Sequence, residues 1–198
     1  MSRLAASNLA TFVATVLLWA ISGVVPAGAQ SPAPSVHPGT KLSFAPVVGT
    51  AKLENSTHFA AVPGVRGAGD TYNYSVGKMQ LTVDVFDAGR RVGAGATNPT
   101  VANQFDTEAN ASEQQIRQAG YTRFERPTVP STCTYGAVSF RCLVYSAQTG
   151  ATRLYSKMLL TGYNGYFVKV AIIWSIADNN TLNDADQALN SFIPVLMR

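Results

Sequence analysis

The stretch LLTGYNGYFVKVAIIWS, residues 159–175, decides how this chain folds. At its centre Asn164 and Gly165 tolerate the positive φ angles of a type I′ turn, so the runs on either side read as a β-hairpin. In the second run Tyr166, Val168, Val170, Ile172, Trp174 and Ile176 fall on one face, and Phe167, Lys169, Ala171, Ile173 and Ser175 on the other. Both faces are largely apolar. Such a strand belongs in a sheet covered on both sides, by helices or by another layer. Its one charge, Lys169, must then either extend to a sheet edge or pair with an acid.

Working outward, residues 137–147 and 153–160 are rich in β-branched, aromatic and aliphatic side chains and read as further strands. After the hairpin, Leu182, Ala185, Leu189, Phe192, Ile193 and Leu196 make the apolar stripe of a terminal helix that could cover one face. Asp184 and Asp186 suit its first turn, and Pro194 should break or kink it near its end. Upstream, Met79, Leu81, Val83 and Val85 alternate with polar neighbours in the second half of a hairpin over residues 71–89. Val101, Phe105, Ala109, Ser112, Ile116 and Ala119 recur at helical spacing, and Gly120 is placed to end that helix. Pro127 and Pro130 make residues 121–130 an edge strand or ascending loop. A short strand or two around Phe44 to Val48 opens the domain.

The first thirty residues stand apart. Arg3 precedes an apolar run over residues 9–25 and then Ala27-Gly28-Ala29, the pattern of a signal peptide cleaved after Ala29. An uncleaved membrane anchor is the competing reading. Residues 30–40, with SPAPSVHPGT, read as a flexible linker that leaves His37 in an exposed tail. Residues 41–198 form a single α+β domain, in a mature chain of roughly 170 residues. Among the 198 residues the basic ones are scattered, so the net charge of +4 gives no support to nucleic-acid binding. Export puts the protein in the periplasm or outside the cell, without a membrane span once the signal is removed. There Cys133 and Cys142 are disulfide candidates, with two unpaired thiols as the alternative.

The order of strand, hairpin, long helix, antiparallel meander and terminal helix resembles the Mog1/PsbP-like α/β/α sandwich. The resemblance rests on RLYSKMLLTGYNGYFVKVAIIW followed by ADQALNSFIPVL, and covers residues 41–198. LLTGYNGYFVKV is also similar to a run in uncharacterised exported proteins of proteobacteria. The resemblance implies an antiparallel sheet covered by helices in an accessory or binding protein. It carries over no catalytic constellation.

The residues themselves offer few reaction groups. The loop GRRVGAGATNPT, residues 89–100, reads as an ordinary mobile loop; its other reading is a ligand grip built on Arg90, Arg91, Gly93 and Gly95. It lacks the third glycine of a dinucleotide fingerprint and the Gly-Lys-Ser/Thr of a P-loop. No nucleophile elbow is present, and His58 is the histidine that a catalytic triad would have to recruit. Asp84 and Asp87 fall on opposite strand faces, while Asp106, Glu108 and Glu113 read as the solvated side of a helix. Neither histidine is near a cysteine, so no metal centre or cofactor is expected. Tyr72, Tyr74, Phe86, Tyr135, Tyr145, Tyr155, Tyr163 and Tyr166 populate sheet faces and hairpin ends, as core edges or as a shallow ligand-stacking patch.

The expectation is therefore an exported accessory or binding protein acting on an envelope protein or small molecule. A periplasmic hydrolase with an unidentified carboxylate site, and a membrane-anchored envelope protein, are the alternatives. The cysteine reading is directly testable. Unfolded, non-reduced protein should expose no free thiol to labelling, and reduction should lower the thermal midpoint; labelling of both cysteines without reductant contradicts the bridge.

Overall fold

The computed structural model describes residues 34–60, 69–127 and 129–198, so residues 1–29, read as a signal peptide, lie outside it. Among the described residues no helix is long and apolar enough to cross a membrane. The class is α+β: one nine-stranded antiparallel sheet, a two-stranded ribbon and two helices. The ribbon pairs β1 (Ser35–Val36) with β2 (Ser43–Phe44). The large sheet runs in the order β3 (Val47–Val48), β4 (Ala51–Phe59), β5 (Gly69–Val76), β6 (Met79–Phe86), β11 (Tyr166–Ser175), β10 (Thr152–Tyr163), β9 (Val138–Thr149), β7 (Arg123–Glu125). A further strand, β8 (Ser131–Tyr135), also pairs with β9.

The β10–β11 hairpin forms as its sequence requires. Asn164 and Gly165 have φ of 49° and 87°, and the register continues without a slip from Tyr163↔Tyr166 to Leu154↔Ser175. One face of β11, with Val168, Val170, Ile172 and Trp174, is buried against Ala185, Leu189, Phe192 and Ile193 of α2 (Leu182–Leu196). Thr181 and Asp184 close a capping box at the start of α2. Pro194 lies inside that helix, which continues through it to Leu196; at that position only the last turn is left to disturb. Leu182, read as part of the stripe, is 44% exposed.

The other face is covered in part. Phe167, Met158, Leu160 and Leu143 are buried with Val101, Phe105 and Ala109 of α1 (Pro99–Gln118). Asn98 caps that helix through Thr100 N, and at its far end Gly120 N and Tyr121 N return to Arg117 O and Ile116 O in a Schellman arrangement. Ala171 and Ile173 are only half-buried, and over β5 and β6 this face carries Thr71, Asn73, Ser75 and Thr82 instead. A helix over β9 and β10 cannot also span the width of β4 to β6. The cover expected on both sides is therefore complete on one face alone.

Two lysines of the central hairpin each hold one helix. Lys169 takes the acid-pairing option: its Nζ is 3.0 Å from Asp84 Oδ2 and 2.9 Å from Glu108 Oε2 of α1. Burial pulls its pKa down, but the two carboxylates outweigh that and raise it. Glu108 is thus not on the solvated side of α1, as the sequence suggested, whereas Asp106 is exposed. On the opposite face Lys157 Nζ lies 2.5 Å from Asp186 Oδ1 of α2, which also accepts from Tyr135 Oη at 2.7 Å. Asp186 accordingly serves a side-chain cluster rather than the helix terminus.

The linker reading is corrected for residues 34–40. Ser35 and Val36 form β1, and His37 and Thr40 are 5% and 1% exposed. The short segment folds because it has apolar partners to close on: Phe44 stacks on Tyr72 at 3.4 Å, and Leu42 is buried beside them.

Candidate functional site

The site assembles from pairing between β4 and β5. In that register His58 stands directly opposite Asp70, on the sheet face that carries Tyr72 two residues further along. His58 Nδ1 lies 2.8 Å from Asp70 Oδ1. A carboxylate only accepts, so the imidazole proton sits on Nδ1 and Nε2 is left as an acceptor. The ring is 70% exposed, whereas Asp70 is 20% exposed.

The second histidine approaches Asp70 from the ribbon. His37 Nε2 is 3.5 Å from Asp70 Oδ2, and its Nδ1 accepts the Thr40 amide at 3.0 Å. That amide fixes the neutral tautomer with its proton on Nε2. Burial lowers the His37 pKa; Asp70 opposes this shift and His58 adds to it. Tyr72 lies in the same cleft as Ser35 and Asp70, and burial raises the pKa of its phenol. One carboxylate thus stands beside both histidines, with a tyrosine next to it in the cleft. They line, or back, a cleft of about 170 Å³ bounded by Ser35, Val36, Ser56, Thr57, His58 and Asp70.

The carboxylates around Lys169 are chemically saturated. Around Lys169, Asp84 Oδ1 accepts from Thr71 Oγ1 at 2.7 Å and Glu108 Oε1 from Gln104 Nε2 at 2.9 Å. Both carboxylates therefore have both oxygens occupied, which suits a fixed anchor. Asp87 accepts from Gly89 N at 2.8 Å and shapes a turn. Glu113 pairs with Arg117 at 2.7 Å on the surface of α1.

The loop read as mobile is tied to the hairpin tip. Val92 N donates to Gly165 O at 3.0 Å and Gly95 N to Gly162 O at 2.9 Å. Val92 and Ala96 are buried, and a Cβ on Gly162 would lie 1.8 Å from Gly93 O, so the two backbones touch. Gly93 and Gly95 therefore take part in packing. Arg90 and Arg91 stay exposed, with the Arg90 guanidinium 6.0 Å from the centre of the Phe167 ring. Cys133 and Cys142 are at bonding distance, 2.06 Å, joining β8 to β9. Of the aromatic set, Tyr72, Tyr74, Phe86, Tyr135 and Tyr145 are buried, and Tyr155, Tyr163 and Tyr166 half-buried.

Sequence reasoning named His58, and Tyr72 within an aromatic set that could form a ligand-stacking patch, but missed Asp70, Ser35 and Ser56. The signal was available only through pairing, because His58 and Asp70 are twelve residues apart and meet only where β4 pairs with β5. No serine hydroxyl is hydrogen-bonded to His58 among the described residues. No cluster of metal-ligating side chains occurs among them either. No protein-family model matches this chain, and no curated protein matches it.

The two members of the pair should respond differently to removal. Asp70→Ala leaves buried His37 Nε2 without its carboxylate and should cost about 1–3 kcal/mol in urea denaturation at neutral pH. His58→Ala removes an exposed ring and should cost less than about 1 kcal/mol. Equal losses would contradict an Asp70 that organises the site from beneath and a His58 that faces outward.

Proposed function

We propose that this chain is an exported accessory or binding protein of the bacterial envelope, of the Mog1/PsbP-like sandwich type, with its ligand site in the cleft at Asp70. Export is supported by the charged head, apolar run and Ala27-Gly28-Ala29 of the sequence, and by a cysteine pair that is bonded. The observation that carries the site is His58, held through Nδ1 by Asp70 with Nε2 open to a hydroxyl-lined cleft. Nε2 accepts; Ser35 and Ser56 both donate and accept; Val36, Pro38 and Tyr72 give an apolar wall. That combination suits a sugar ring or a polyol of similar size.

A periplasmic hydrolase is the second reading, and the same pair favours it, because an oriented imidazole can take a proton from water. Among the carboxylates that the sequence offered without selecting a pair, Asp84 and Glu108 are engaged by Lys169.

Nitrogen-15 chemical-shift mapping separates the readings. Glucose and N-acetylglucosamine, each at about 10 mM for a weak site, should shift the amides of Ser56, Thr57, His58 and Asp70, and His58→Ala should abolish the shifts. Absence of shifts there, or shifts spread elsewhere, would overturn the site. Hydrolysis of p-nitrophenyl acetate that disappears in His58→Ala would favour the hydrolase instead.

A further inference from the structure

The buried histidine has a position that binding alone does not require. His37 closes the turn between β1 and β2, where His37 N donates to Leu42 O and Lys41 N to His37 O, each at 2.9 Å. Its ring meets Tyr166 edge-on at 5.1 Å, and Asn164 Nδ2 donates to Thr40 O at 2.9 Å. A Cβ on Gly39 would stand 2.4 Å from the Tyr166 ring, so this turn lies directly on the tip of the central hairpin. Beyond the turn, Ser35, Val36 and Pro38 form one wall of the Asp70 cleft.

We propose that residues 35–44 are a pH-sensitive strap, latched over the Asp70 cleft by neutral His37 and released when that ring takes a proton. The closed latch uses an unprotonated Nδ1, which accepts the Thr40 amide at 3.0 Å and, in that tautomer, the Thr40 hydroxyl at 3.1 Å. A proton there opposes the amide donor, leaves only the Thr40 hydroxyl to turn and accept, and places a charge at a position 5% exposed. Four titratable groups surround the ring. Asp70 of β5 lies 3.5 Å from Nε2 and favours the charge; His58 of β4, when protonated, opposes it; the rings of Tyr166 of β11 and Tyr72 of β5 complete the surround, and burial raises the pKa of Tyr72.

The sign follows from the two states. Burial holds the His37 pKa in the closed strap below its ordinary 6.5, to which the ring returns when the strap opens. The open form therefore binds more protons as pH falls through 6.5, and the closed form loses stability until its own lower pKa is reached. Above 6.5 the latch is fully engaged. Acidification thus removes a wall of the cleft. The consequence for ligand rests on the cleft being the binding site, while the latch stands independently.

Hydrogen exchange of the Thr40 amide in the whole protein, corrected for intrinsic rate, reads the latch directly. Between about pH 7.5 and pH 5, Thr40 protection should fall by clearly more than about twofold while Val170 and Ile172 stay protected. His37→Asn keeps an acceptor, Oδ1, near the place of Nδ1 but cannot be protonated there, and its Thr40 protection should change by less than about twofold. PH-independent protection in the wild type, or an equal fall in His37→Asn, would overturn the proposal. If His37→Asn leaves the strap open at every pH, the imidazole nitrogen shifts of the wild type decide: exchange that rises with Nδ1 protonation upholds the latch, and exchange that rises while Nδ1 stays unprotonated refutes it. Saccharide shifts lost at neutral pH with Thr40 still protected would count against the ligand site and leave the latch standing.

Discussion

The ammonium of Lys169, held between Asp84 of β6 and Glu108 of α1, is the interaction on which the arrangement of sheet and first helix depends. A charge in this position is expensive to desolvate and is tolerated because every partner atom is engaged. Asp84 is itself held by Thr71 and Glu108 by Gln104, so the cluster ties β5, β6, β11 and α1 together. Lys157 plays the corresponding part on the other face of the same hairpin, joining α2 through Asp186 and Tyr135. Apolar burial supplies most of the driving force for helix docking, but it is non-directional. The two ion pairs specify where along the hairpin each helix sits.

This division leaves one end of the sheet to other uses. The helices cover the hairpin and the strands beside it, while β4 joins the cores only near its ends, through Ala51, Leu53 and Phe59, and residues Glu54 to His58 are exposed. At that thinly covered end Asp70 gathers two histidines and a tyrosine, and a polar cluster at the rim of a cleft can change protonation without endangering the core. The saturated carboxylates lie around the anchors; the free imidazole nitrogen lies at the rim. The placement separates stability from the candidate site.

The hairpin, both helices and the glycine that ends the first could be read from the chain because each depends on local rules: Asn164-Gly165 for the turn, Gly120 for the helix end, period-two burial for β6 and β11. What could not be read depends on register between distant strands. Glu108 looked solvated because helical periodicity shows which residues share a face, and not that Lys169 would reach up to meet them. The polar half of the second face was hidden for the same reason, since β11 alone does not reveal how far α1 extends. His37 looked like a tail residue in a Pro- and Ser-rich segment; its burial comes from Leu42 and Phe44, which follow it and close on Tyr72. The cysteine bridge was open on spacing alone and is fixed by β8 pairing with β9.

The central claim is that Lys169 anchors the fold and takes no part in the cleft. Chemical denaturation of Lys169→Met beside Lys169→Met/Asp84→Asn/Glu108→Gln tests it most directly. The single variant strands two half-buried carboxylates and should lose about 3–5 kcal/mol, the triple variant should recover a large part of that loss, and the amide shifts of His58 and Asp70 should be unchanged wherever the protein is folded. A single variant with wild-type stability, or one that is fully folded yet disturbs the Asp70 cleft, would contradict the account.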